Sequence, residues 1–72
     1  MNKVIVYVIH DRHTDDRVKV FAYSEENEAK VKVLCQDDWG DEAHQVGYEG
    51  DYGFGHSEDY FSYYYVKNIE AL

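Results

Sequence analysis

The sequence predicts an α+β fold: a small antiparallel sheet of about four strands with one helix on one face, in the order ββαββ. Three observations predict it. Two short β-branched runs near the start are separated by a polar cluster. A segment with a helix-type N-terminus follows them. A run crowded with tyrosines, "YFSYYYVKNI", lies near the end and contains no proline. The 72 residues are read as one domain, 1–72. A chain this short buries only about 60% of the surface that it exposes when unfolded, so its core is thin.

The first run, "KVIVYVIH" (residues 3–10), is strand-like because β-branched and aromatic side chains suit a pleated surface. Val4, Val6 and Val8 point one way and Ile5, Tyr7 and Ile9 the other. Both faces are apolar, which suits a central strand. "DRHTDD" (11–16) has the polar residues of a turn. "RVKVFAY" (17–23) alternates again, so the first two strands are expected to form a hairpin.

Residues 24–40, "SEENEAKVKVLCQDDWG", can be read in two ways. Ser24 is a good N-cap, and Glu25 and Glu26 would meet the positive end of the helix dipole. Gly40 would terminate the helix. Against this, Ala29, Val31, Val33 and Cys35 alternate as they would in a strand. The cap and the acidic first turn favour a helix from 25 to about 38. A short strand is expected at 44–49 and a glycine-rich loop at 50–57. The last strand spans 60–69. It carries Tyr60, Ser62, Tyr64, Val66 and Asn68 on one face, and Phe61, Tyr63, Tyr65, Lys67 and Ile69 on the other.

One helix covers one face of a sheet, and the far face of a thin sheet is normally polar. Here it is aromatic. That face must be covered by the glycine-rich loop, by another subunit or by a partner.

Charge narrows the partners. The formal net charge is -8. The first half of the chain balances Lys3, Arg12, Arg17, Lys19, Lys30 and Lys32 against Asp11, Asp15, Asp16, Glu25, Glu26 and Glu28. From residue 37 onward there are nine acids and a single base, Lys67. Such a surface repels phosphate, so direct nucleic-acid binding and anionic membranes are excluded as expectations. It suits a basic protein surface.

Catalytic chemistry finds no footing. His44, His56, Ser57 and Asp59 supply nucleophile and base types, but no motif positions them. The glycines are irregularly spaced beside Glu49 and Asp51, unlike a phosphate-cradling loop. His10 and His13 form an H-x-x-H pair among Asp11, Asp15 and Asp16. Without a second ligand pair at a recognised spacing this reads as a solvated polar loop. No enzyme activity, metal or cofactor is expected. The lone Cys35 excludes an internal disulfide and reads as a small buried hydrophobe. No signal peptide or membrane-spanning run is seen, so a soluble, cytoplasmic protein is expected.

What remains is a set of carboxylates beside tyrosines. Carboxylates can stand in for phosphates against Lys and Arg, and tyrosines supply orienting anchors. The predicted partner-binding residues are Asp37, Asp38, Asp41, Glu42, Tyr48, Glu49, Asp51, Tyr52, Glu58, Asp59, Tyr63 and Tyr65. The alternative is a self-associating structural or regulatory domain with a tyrosine-lined homodimer interface.

In size, acidity and element order the chain resembles the small acidic proteins of bacteriophages and mobile elements that block host defence, anti-CRISPR proteins and other DNA mimics among them. That resemblance implies inhibition by binding, in which a nucleic-acid channel is occupied or subunits are bridged. It transfers no individual residue. The balanced first half departs from a pure DNA mimic and implies a one-sided acidic surface.

Overall fold

The computed structural model describes residues 2–46 and 53–69. Its strands are β1 (Asn2–Asp11), β2 (Arg17–Ala22), β3 (His44–Gln45), β4 (Gly53–Ser57) and β5 (Tyr60–Ile69), with helix α1 (Glu25–Asp37) between β2 and β3. The strands form one sheet in the order β2-β1-β5-β4-β3, and every adjacent pair is antiparallel.

The α+β class and the single helix of the described residues are as the sequence predicts, but the described sheet has five strands rather than about four. The extra one is β4. Residues 50–57 read as a loop because glycine is depleted in strands, yet Gly53–Ser57 is a strand paired with both β3 and β5. Gly55 lies so close to β5 that a side-chain carbon would collide with the Tyr60 carbonyl and with Phe61. Here glycine permits close approach of two backbones.

The long antiparallel pairing of β1 with β5 places the two most apolar strands side by side, from Asn2 opposite Ile69 to Asp11 opposite Tyr60. The β5 strand therefore occupies the middle of the sheet. Directly opposed residues share a face, so the register sorts the side chains. Ile5, Tyr7, Ile9, Phe21, Phe54, Ser62 and Tyr64 share one face; Val4, Val6, Val8, Val18, Val20, Phe61, Tyr63 and Tyr65 share the other.

Helix α1 packs on the first face. Ser24 caps it, its hydroxyl accepting from the Asn27 N–H at 2.9 Å. Val31 and Cys35, one turn apart, are the buried residues of the helix. They meet Ile5, Tyr7 and Tyr64, with Ile9, Phe21 and Phe54 packed around them. Burial pushes the Cys35 thiol up to about 12, because a desolvated thiolate is unfavourable. Its role is the packing that the sequence suggests.

Tyr7 is 2% exposed, and its hydroxyl has no hydrogen-bond partner among the described residues. A buried hydroxyl left unpaired costs about 1–3 kcal/mol. Tyr7→Phe keeps the ring and removes the orphan oxygen, so it is expected to stabilise the fold by about 1 kcal/mol. A urea midpoint no higher than that of the parent protein would show that the hydroxyl has a partner.

On the helix-free face the rings of Phe61, Tyr63 and Tyr65 form a ladder. Phe61 and Tyr63 stack at 5.7 Å, and Tyr63 and Tyr65 at 6.5 Å. Val8 and Val6 stand opposite Tyr63 and Tyr65 and are buried even without a helix on this side. No described helix is long and apolar enough to cross a membrane.

Candidate functional site: an acidic end and an aromatic ladder

Three connections meet at the end of the sheet where β1 finishes. These are the β1–β2 turn, the segment leaving α1, and the β4–β5 turn. The pairing of Asp11 with Tyr60 fixes the first and third side by side. The Arg12 N–H donates to the Asp59 carbonyl at 3.0 Å, and the Arg12 guanidinium lies 3.5 Å from the Asp59 carboxylate. Both side chains are more than half exposed, so the ion pair adds little stability.

The helix end is tied down by a short relay. The Trp39 indole N–H donates to Ser62 Oγ at 2.8 Å, and the Ser62 hydroxyl donates to Asp38 Oδ2 at 2.8 Å. Ser62 is fully buried, so the relay satisfies a hydroxyl that would otherwise be costly. The Trp39 ring also lies 6.2 Å from both His56 and Tyr60. Trp39 thus anchors the end of α1 to β4 and β5.

Electrostatically this helix end is unusual. A helix C-terminus carries partial negative charge and favours bases. Here Asp37 ends the helix, Asp38 caps it, and the last turn holds no base. Partial burial raises the Asp38 pKa above the usual carboxylate range, and the Ser62 hydrogen bond opposes that rise. The ionised form is therefore held in an environment that disfavours it. A cation brought to this end would relieve both effects.

The predicted acids divide as follows. Asp37, Asp38, Asp41, Glu42, Glu58 and Asp59 are all exposed. Asp37 and Asp38 arrive with α1, and Glu58 and Asp59 with the β4–β5 turn. Asp41 and Glu42 lie on the segment between the Asp38–Ser62 contact and His44, which pairs with Gly55. All six therefore come to one end.

Tyr63 is half-buried and Tyr65 is 38% exposed, both on the helix-free face. The acids thus sit on an end and the tyrosines on an adjoining face, rather than on one common surface. Tyr48, Glu49, Asp51 and Tyr52 lie outside the described residues.

The structure adds acids that the charge count of the second half passed over. Asp11 at the end of β1, and Asp15 and Asp16 of the β1–β2 turn, reach the same end. Asp16 sits 2.7 Å from His10 Nδ1, and Asp11 Oδ1 accepts the His13 N–H at 2.9 Å. His13 lies against Tyr60 at 5.9 Å. The two imidazoles thus face different neighbours, and among the described residues no three His, Cys, Asp or Glu side chains gather to hold a metal ion. Between the turn and the helix end lies a cleft of about 240 Å³ lined by Ile9, Asp11, Thr14, Arg17, Asp38 and Trp39.

Comparison with known proteins finds no matching family model, no matching curated protein and no matching solved structure.

Proposed function

We propose that the chain is a non-enzymatic binding protein. Its acidic end, with the tyrosine ladder beside it, engages a basic protein surface. One observation carries the reading: the segment leaving α1 and the β4–β5 turn bring Asp37, Asp38, Asp41, Glu42, Glu58 and Asp59 to the end of the sheet where β1 and the β1–β2 turn hold Asp11, Asp15 and Asp16. Arg12 and Arg17 are the bases that the β1–β2 turn and the start of β2 contribute there. The uncompensated helix terminus supports the same reading, since a cation is what that terminus lacks. Tyr65 and Tyr63 supply amphipathic contact area on the adjoining face.

Proteins that bind nucleic acid present the basic grooves that such a surface fits. The proposed role is inhibition of a nucleic-acid-binding host defence complex by occupying that groove, the mode implied by the resemblance to phage-encoded inhibitors of host defence.

The test is capture of partners from host lysate by the tagged chain at about 50 mM and about 500 mM salt. Screening shortens the reach of exposed charges from about 14 Å to about 4 Å over that range. The expected result is a basic nucleic-acid-binding protein that is retained at low salt and released at high salt, and that added DNA or RNA displaces. Reversing Asp41, Glu58 and Asp59 together to lysine should weaken its binding by about 100-fold or more, because opposed like charges cost several kcal/mol. Capture that ignores both salt and the reversals would overturn the reading.

A further inference from the structure

We propose that the chain also forms a twofold dimer by pairing the free edge of β2 with β2 of a second copy, antiparallel, with Val20 on the axis. This goes beyond the acidic end and uses the outer edge of the first hairpin.

The two edges of the described sheet differ. β3 is a two-residue strand, too short to template much. β2 is a six-residue strand with Val18 58% and Val20 60% exposed. The backbone shows which of its groups are free. The Tyr23 N–H donates to the Lys3 carbonyl at 3.2 Å, so Tyr23 faces β1. Antiparallel ladders alternate, so Phe21, Lys19 and Arg17 also face β1, while Ala22, Val20 and Val18 direct their N–H and C=O groups away from the sheet. The Ala22 carbonyl already accepts from Asn27 Nδ2 at 2.8 Å. The amides of Val18, Val20 and Ala22 and the carbonyls of Val18 and Val20 are left for a new strand.

Charge narrows the register. Centring the pair on Lys19 would set Lys19 against Lys19, and centring it on Val18 would set Lys19 against Arg17. Like charges directly opposed destabilise a pair of strands. Centring it on Val20 avoids both. Val20 then meets Val20, Val18 meets Ala22, and Lys19 meets Phe21. Arg17 of each copy faces Tyr23 of the other, next to Glu25 and Glu26 in the first turn of α1. In this register the strand complements itself in hydrogen bonding and in apolar contact, and no like charges stand directly opposite. A second copy is therefore the occupant that the edge fits.

The new ladder holds about four hydrogen bonds and covers a small area, below the roughly 1,200 Å² of a standard stable interface. The dimer is therefore expected to dissociate at about 10–100 µM.

Sedimentation velocity on the full chain from about 5 to 500 µM, with circular dichroism as a check on folding, tests this. Dimer growing in over that range is expected. Val20→Lys puts two ammonium groups on the axis at an exposed site, and should leave the fold intact while weakening association at least 10-fold. Register is read from two cysteine variants. Val20→Cys should cross-link under mild oxidation and Val18→Cys should not, since the Val18 residues of the two copies lie several residues apart. Cys35 is buried and does not compete. A monomer at 500 µM, undiminished association of the lysine variant, or equal cross-linking of the two cysteine variants would each overturn the proposal. The Val20→Lys monomer should still capture the basic partner of the acidic end, so the two surfaces fail separately.

Discussion

Gly55→Ala is expected to destabilise the fold by about 3 kcal/mol, the upper part of the range for forcing atoms into packed space. An ideal Cβ at Gly55 would lie 2.5 Å from Phe61 Cα and 2.9 Å from Phe61 Cβ, and closer still to the Tyr60 carbonyl oxygen. Two of these three atoms belong to the backbone of β5, which is held by β1 on its other side. They cannot swing away as the tip of a long side chain would. The register is irregular between Gly55 and Ser57. The strand must either part from β5 or shift, and either movement carries Glu58 and Asp59 with it. For a domain of this size, about 3 kcal/mol corresponds to a fall in melting temperature of roughly 12–24 °C. Gly40 is the control. It has a φ of 81° with no atom within 4 Å of an added Cβ, so Gly40→Ala costs only the left-handed backbone term of about 1–2 kcal/mol. Thermal melts of the two variants that coincide, or a Gly55→Ala protein as stable as the parent, would refute the close-approach argument.

The same glycine shows why part of the fold was hidden in the sequence. Strands β1, β2 and β5 announce themselves through period-two runs of Val, Ile, Phe and Tyr. β4 has Gly53, Phe54, Gly55, His56 and Ser57, a composition that propensity assigns to a loop. Its strand character comes from its neighbours, which pair with it on both sides. Helix α1 was ambiguous for a related reason. Of the alternating Ala29, Val31, Val33 and Cys35, only Val31 and Cys35 are buried, and Val33 is 54% exposed. The strand-like alternation is incidental, whereas the Ser24 cap is a physical device that the structure uses.

The acids were legible as residues but not as a cluster. Their gathering depends on the register of β1 with β5, which brings Asp11 beside Tyr60 although nearly fifty positions separate them. That register also recruits Asp15 and Asp16, which a charge count by halves assigns to a neutral region. Ser62 looked like an ordinary polar position on the last strand. Its role appears only when Asp38 and Trp39 arrive above it from the end of the helix.

Ser62→Ala is expected to cost about 2 kcal/mol at neutral pH, since a buried donor loses its acceptor and a carboxylate loses its donor. The pH dependence identifies the carboxylate. Asp38 has a pKa raised in the folded state. Such an acid favours folding most below its unfolded value of about 3.9, and that contribution is lost as pH rises through the folded pKa. The Ser62 hydroxyl limits the loss by donating to the ionised form. Without it the Asp38 pKa rises further, so the deficit of Ser62→Ala should grow as pH climbs from about 3 into the range above 4.

Asp38→Asn should behave in the opposite way. The amide oxygen can still accept from Ser62, and the charge at the negative end of α1 is gone. Stability at neutral pH should therefore rise by about 0.5 kcal/mol, the scale of one charge at a helix terminus. Adding Ser62→Ala to Asp38→Asn should then cost two neutral hydrogen bonds, to Trp39 and to the amide, by the same amount at every pH. Urea titrations of the three variants at pH 3 and pH 7 decide it: a Ser62→Ala deficit that is flat with pH, or an Asp38→Asn protein less stable than the parent, would contradict the relay. The unfavourable charge at Asp38 also bears on binding. A Lys or Arg of a partner placed beside it would lower its pKa, so such a partner should bind more tightly as pH rises through the same window. Asp38→Asn should reduce that rise while making the free protein more stable, which separates a residue retained for its contact from one retained for the fold.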